Sequence, residues 1–457
     1  MQTEAFIGGT IRAAARALRT GALSARALAD SVLARIDAVD GPIRAFIETW
    51  PGAARAAADT ADRAGYTGST PLLAGIPLAH KDIFARPDRQ PSCGVRAADL
   101  GGPLPPSPLV ARLDRCGAVD LGVLNLAEFA LGTTGTNAFF GNVANPWNPA
   151  HCAGASSSGS AAAVAAALCF AAMGTDSGGS CRVPASFCGV VGLKPTHDLL
   201  ATDGVFPLAW SLDCVGLLAR TLDDAAILFA ALQGDSHPPG VADGPALRVG
   251  IPRRYYHEHL EPDVAAAWQA AIRGLEAAGH RIVDVDVVES DEMRSLLRLI
   301  MRTEAAATHR PLLARRPDQY PLAVRKFFAA GEGLLAIDYV DALRLRGHLL
   351  KQALATTFTA ADVLLTPAVP VLPPRYDRIA DPADKDAWRV TTLLARCTQP
   401  ASYLGLPALA VPAAVGAAGL PIGVQLIGAP YADASLFRAA LPIERMFRAL
   451  DRRPTLH

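Results

Sequence analysis

The chain has 457 residues, of which 51% are hydrophobic, and its 43 basic side chains are balanced by 43 acidic ones. That is ample material for a large core, and it leaves no basic excess with which to hold nucleic acid or an anionic membrane surface. The balance points to a small-molecule partner.

The opening stretch "MQTEAFIGGTIRAAARALRTG" interleaves charged residues with alanine and lacks the unbroken apolar centre of a signal peptide, so a cytoplasmic location is expected. Ser24 is placed to cap a helix over residues 24–40, in which Leu28, Val32, Ile36 and Val39 recur at helical spacing. Short strand-like runs follow, "GIPLAH", "AVDLGVL", "LRVGIP", "HRIVDVDV" and "ADVLLTPAVP", separated by helices rich in alanine and leucine. This alternation predicts an α/β fold of layered α/β/α type, with buried strands in a central mixed, largely parallel sheet. One domain over residues 1–457 is expected.

The apolar run from Ala161 to Met173 reads as a buried helix, well short of the roughly 20 residues that span a bilayer. Residues 290–350 shift to arginine-rich helix, a helical insertion or cap whose arginines read as a solvated face. The proline- and glycine-rich segments 87–108 and 368–382 read as surface loops. The eight cysteines form no C-x-x-C pair, so reduced structural thiols are expected, with no metal site and no cofactor.

Three segments carry residues suited to chemistry. Lys81 follows directly on an apolar run in "LAGIPLAHKDIF"; three serines, Ser156, Ser157 and Ser158, precede an apolar helix; and Ser180 sits in "GTDSGGSCR". A serine hydroxyl needs a base, and a lysine serves as one only when burial brings its pKa down from about 10.4. The glycines before Ser180 leave the N–H groups of Ser177, Gly178, Gly179 and Ser180 unobstructed for an oxyanion. No G-x-S-x-G elbow surrounds Ser156 or Ser180. His80 and His151 are the histidines near these segments and the alternative bases. Asp176 and Arg182 flank the Ser180 loop as an expected ion pair or anchor, while Thr175 and Thr133 read as loop-holding hydroxyls that also suit a substrate.

The blocks "GIPLAHKD", "AEFALGTTGTNAFFGNVANPWNP", "AGASSSGSAAAVAA", "GTDSGGSCRVPASFCGVVGLKPT", "PASYLGLPALAVP" and "GLPIGVQLIG" resemble, in order and over nearly the whole chain, the amidase signature family. The resemblance implies a Ser–cis-Ser–Lys triad: Ser180 as nucleophile, Ser156 as bridging serine after a cis peptide, Lys81 as base. Ser157 is a second claimant for the bridging place. Ala130 aligns with a pocket-lining stretch of the family; with Thr133 it is expected to bind substrate, and Ser177, Gly178 and Gly179 are the expected oxyanion hole. The implied activity is hydrolysis of an amide C–N bond through an acyl-enzyme. Phe129, Phe139, Phe140, Phe206 and Trp210 near the blocks suggest apolar or aryl amides, with carbamates (urethanes) and esters also open. A glutaminase or amidotransferase component in aminoacyl-tRNA amidation is the alternative, and a catalytically inactive scaffold is a third. A homodimer is allowed.

Overall fold

The computed structural model describes residues 6–96, 100–235, 237–288, 290–381, 384–448 and 451–455. The first five residues of the opening stretch, residues 97–99 of the first proline-rich segment and residue 382 of the second lie outside them. Thirteen strands occur among the described residues: β1 (Phe46–Thr49), β2 (Pro77–Lys81), β3 (Val119–Leu124), β4 (Ala144–Asn145), β5 (Asn148–Cys152), β6 (Ala171–Thr175), β7 (Val191–Lys194), β8 (Val215–Ala219), β9 (Arg248–Pro252), β10 (Arg281–Val285), β11 (Val363–Pro367), β12 (Ala408–Val415) and β13 (Pro421–Gly428). Eleven form one sheet in the order β1-β3-β2-β6-β8-β7-β12-β13-β11-β9-β10, and β4 pairs with β5 apart from it.

The sheet is mixed, as expected, but the expectation that it is largely parallel fails at its centre. Parallel pairing joins β2 to β3 and β6 on one flank and β9 to β10 and β11 on the other. Between the flanks, β6, β8, β7, β12, β13 and β11 pair antiparallel in succession. The hairpin of β12 and β13 closes through a short turn with Gly419 at φ +75°, a connection that only antiparallel neighbours permit.

All five strand-like runs become strands, and four are buried along nearly their whole length. The exception is β10, which lies at the sheet's edge with only Val285 fully covered. The first long helix spans Ala25–Ile43, and the Ser24 side chain caps it by accepting from the Ala27 N–H. The apolar run from Ala161 to Met173 is not one helix: a helix over Ser158–Ala165 stops, Ala167 turns at φ +59°, and β6 begins at Ala171. This break places Ser156 and Ser157 at the start of the helix and Thr175 at the end of the strand it feeds. Both proline-rich segments are partly sunk into the molecule, with Cys93, Val95, Ala368 and Val369 buried. Between β10 and β11 run the helices Ser290–Arg315, Leu322–Glu332 and Ala336–Ala355. Among the described residues no helix is long and apolar enough to cross a membrane.

Candidate active site

Strands β2 and β6 lie side by side and parallel, so their carboxyl ends open at the same edge, the place where α/β sheets bind ligands. Lys81 ends β2 and Thr175 ends β6. Successive side chains on a strand alternate faces, which sends His80 and Lys81 apart. His80 packs against Trp50 and Phe84 and faces Asp120 at 3.3 Å, while His151 contacts the Pro373 carbonyl. Neither lines the cavity described below.

Lys81 is fully buried. Its Nζ donates to Ser156 Oγ at 2.8 Å, Ser157 Oγ at 3.2 Å and Thr175 Oγ1 at 2.7 Å. Burial pulls its pKa down to about 8, against the opposing attraction of Cys181, Asp213 and Asp176. Burial holds the Cys181 thiol far above its ordinary value, so near neutral pH it is an uncharged thiol and leaves the two carboxylates as the counter-charges.

The two candidate bridging serines differ in their other bonds. Ser157 Oγ donates to the Thr175 carbonyl at 3.1 Å and accepts from the Thr175 N–H at 3.3 Å, which commits its proton to the backbone. Ser156 Oγ has no partner besides Lys81 among the described residues. The cis peptide expected before Ser156 is absent: every described peptide bond is trans, and the chain turns instead at Ala155, φ +46°.

Ser180 is half-buried, and its backbone carbonyl accepts from the Ser157 N–H at 3.2 Å. Its hydroxyl makes no hydrogen bond among the described residues, so contact between Ser156 and Ser180 is open in this structure. The loop is held from beneath by Asp176 and Arg182, both fully buried and paired through two nitrogens at 2.9 and 3.0 Å. Burial alone raises the Asp176 carboxyl, yet Arg182, Lys194 and the Cys181 N–H together outweigh it and keep the pKa below its usual value. Arg182 also donates to the Thr398 carbonyl, Gln425 and Ser402, which ties the loop to the C-terminal blocks. Ser177 donates to Asp213 at 2.5 Å, and burial raises that carboxyl to about 6.

One member of the expected oxyanion hole is displaced. The Gly179 N–H donates to Asp176 Oδ1 at 2.7 Å, so it does not face a ligand. The N–H groups of Ser177, Gly178 and Ser180 have no acceptor among the described residues. Gly179 matters for shape: at φ +135° a Cβ there falls 2.2 Å from Thr398 Oγ1, whereas one at Gly178 meets Met301 Cε at an ordinary 3.5 Å. Gly179→Ala is therefore expected to lower kcat/KM by about 100-fold through displacement of the loop, and Gly178→Ala by far less. Kinetics of the two variants side by side check this, and equal losses count against it.

Ser180, Gly178 and Ser177 lie on the wall of a cavity of about 570 Å³, which Ala130 and Thr133 also line. Ala130 adopts φ +61°, and Thr133 Oγ1 donates to the Thr391 carbonyl at 3.1 Å. None of the five aromatic residues singled out in the sequence lines it; Phe129 and Phe206 pack instead around the buried His309. The aromatic lining comes from Phe327 and Trp388, and Arg298, Met301 and Arg302 enter from the helix Ser290–Arg315. Sequence reasoning misses these, together with Thr398, which bonds the Gly178 carbonyl. The one signal for Thr398 is its place just before the "PASYLGLP" block.

The sequence profile of the family described as Amidase matches residues 27–437. The chain belongs to the amidase family. It is 38% identical to a glutamyl-tRNA(Gln) amidotransferase subunit from Synechococcus sp. (strain WH7803), with 96% of this chain and 97% of that protein aligned. A solved amidase superimposes with a TM-score of 0.87 at 31% identity, covering 96% of this chain and 100% of the other. The corresponding glutamyl-tRNA(Gln) amidotransferase subunit of Thermotoga maritima superimposes with a TM-score of 0.77 at 28% identity, over 95% of each chain. The large mixed sheet with its covering helices is thus an amidase-family fold, and the chain is an enzyme of the family that acts on C–N bonds.

Proposed function

We propose that the chain hydrolyses the amide C–N bond of a small molecule through an acyl-enzyme on Ser180, with Lys81 as base and Ser156 as relay. The observation that carries this is the contact of a buried lysine, its pKa drawn to about 8, with a serine hydroxyl that has no other partner among the described residues. A neutral amine has two N–H donors and one lone pair. Ser157, its own proton spent on the Thr175 carbonyl, accepts one of those donors, and the lone pair then takes the Ser156 hydroxyl proton. When substrate enters, Ser180 turns to donate to Ser156 Oγ, a contact that tightens only in the complex.

Ser180 Oγ then attacks the carbonyl carbon, and the oxyanion receives N–H groups from Gly178 and Ser180, with Ser177 adjoining. The relay reverses to protonate the departing nitrogen, so the C–N bond breaks to give amine or ammonia and the Ser180 ester. Water, deprotonated by the same route, releases the acid. Carbamates and esters fit the same carbonyl chemistry. No step calls for a metal or a cofactor, and the buried free cysteines fit a cytoplasmic setting.

A second reading draws on the curated relatives, and they support it more directly than they support a stand-alone amidase. As a component of a tRNA-dependent amidotransferase, the chain takes the amide from glutamine and passes ammonia to a partner working on aminoacyl-tRNA. The isolated protein decides between them on a panel of glutamine, primary amides, anilides and carbamates. Turnover of simple amides far above that of glutamine supports the first reading. Glutamine turnover alone, rising with added partner proteins, supports the second.

The relay itself is tested at the two serines. Ser156→Ala is expected to cut kcat on amides by about 100-fold or more, the usual worth of a general acid–base group. Ser157→Ala is expected to cost less activity but to lower the melting temperature, because it strips a buried anchor from Lys81 and Thr175. Equal kinetic losses with equal melting temperatures count against Ser156 as relay.

A further inference from the structure

Helix Ser290–Arg315 brings two guanidinium groups to the cavity that holds Ser180: Arg298, half-buried, and Arg302, exposed. They lie four residues apart, and neighbours at that spacing share a helix face. The helix sits directly over the Ser180 loop, since a Cβ at Gly178 meets Met301 at 3.5 Å and Leu297 at 3.9 Å. Neither guanidinium forms a hydrogen bond or an ion pair among the described residues, and that of Arg302 lies 5.5 Å from the centre of the Phe327 ring.

No carboxylate forms an ion pair with either guanidinium among the described residues: Asp291 and Glu258 hold Arg396, Glu304 is bonded by Ser211 and Tyr339, and Glu128, which shares the cavity wall, accepts from the Ala138 N–H. Burial, followed by the like charges of Arg294 and Arg302, lowers the pKa of Arg298. A half-buried cation beside like charges and without an ion-pair partner among the described residues is unfavourable in the empty protein, and a bound anion relieves it. The rest of the lining near Ser180 is neutral, including Ala130, Leu131, Thr133, Val183 and Leu208.

We infer that Arg298 and Arg302 form an anion-binding wall, so that the substrate amide carries a carboxylate remote from its scissile bond. The inference rests on the hydrolase reading above and names the substrate class for it. A planar guanidinium fork matches a carboxylate in two parallel hydrogen bonds, and the neutral end of the cavity then receives the amide. The apolar or aryl amide suggested by the sequence gives way to the monoamide of a dicarboxylic acid or a compound of like polarity.

The experiment compares kcat/KM of the full chain on succinamate, glutaramate and adipamate with neutral primary amides of equal length. The carboxylates are expected to lead by at least about tenfold at low salt. That lead should fall toward unity in Arg298→Gln and Arg302→Gln, persist in part in Arg298→Lys, and shrink as salt is raised from about 20 to about 500 mM. Circular dichroism checks that the glutamine variants fold, and the salt dependence of the wild type decides if they do not. Labelling of wild-type Ser180 by a fluorophosphonate tests the hydrolase reading separately, and its absence overturns both. Labelling together with no carboxylate lead, or with a lead untouched by salt and by both glutamine variants, overturns the anion wall alone.

Discussion

Ser180→Ala is expected to remove turnover, with a loss of roughly a thousandfold or more, while the protein melts within a few degrees of the wild type. The kinetic side follows from the proposed chemistry: without Oγ no acyl-enzyme forms, and the relay has no proton to collect. The stability side follows from the structure. Ser180 is half-buried and its hydroxyl has no hydrogen-bond partner among the described residues, so deleting it strands no buried polar group. The bonds that hold its loop belong to Asp176, Arg182 and the Ser180 carbonyl, and all survive the substitution. Measured kcat, fluorophosphonate labelling and thermal melting together check the claim. Residual activity within tenfold of wild type removes Ser180 as nucleophile, and a collapse of the fold shows that the loop depends on more than these anchors.

The strands are legible in the sequence where apolar runs are short and bounded, as in β2, β3, β9 and β11, because a buried strand needs little more than that. Their direction is hidden, since pairing is decided by contacts far apart in the chain. The alanine-rich run from Ala161 to Met173 misleads for a related reason: small apolar residues fit buried helix and buried strand alike, and the break at Ala167 carries no glycine to mark it. In the site, residue types name the chemistry while directions stay hidden. Gly179 reads as an open donor until Asp176 is seen to claim its N–H. Arg298 and Arg302 read as part of a solvated face; with the helix placed over Ser180 both line the cavity, Arg298 half-buried and Arg302 still exposed. Phe129 and Phe206, near the motifs in sequence, serve the core around His309 and not the cavity.

Lys81 should give the steepest pH signature in the protein. Burial lowers its pKa to about 8, so the free enzyme carries a protonated, inactive lysine below that value and a neutral base above it. The sign is therefore fixed: kcat/KM rises with pH through about 8 and then levels. The same shift bears on folding. An unfolded Lys81 stays protonated up to about 10.4, so between the two values the unfolded chain binds more protons and stability from this group grows as pH rises. Lys81→Ala removes the base for attack and the proton source for the leaving nitrogen, and amide turnover is expected to fall by about 10³-fold or more. An ester of the same acyl group should lose less, because an alkoxide or phenoxide departs with less need of that proton than an amine does. The measurement is a pair of pH–rate profiles, amide and ester, for wild type and Lys81→Ala. Equal losses on both substrates, or a rise through about 8 that survives the substitution, take Lys81 out of the mechanism. Neither histidine near the motifs then replaces it, since His80 is turned to the opposite face of β2 and His151 is held at the Pro373 carbonyl.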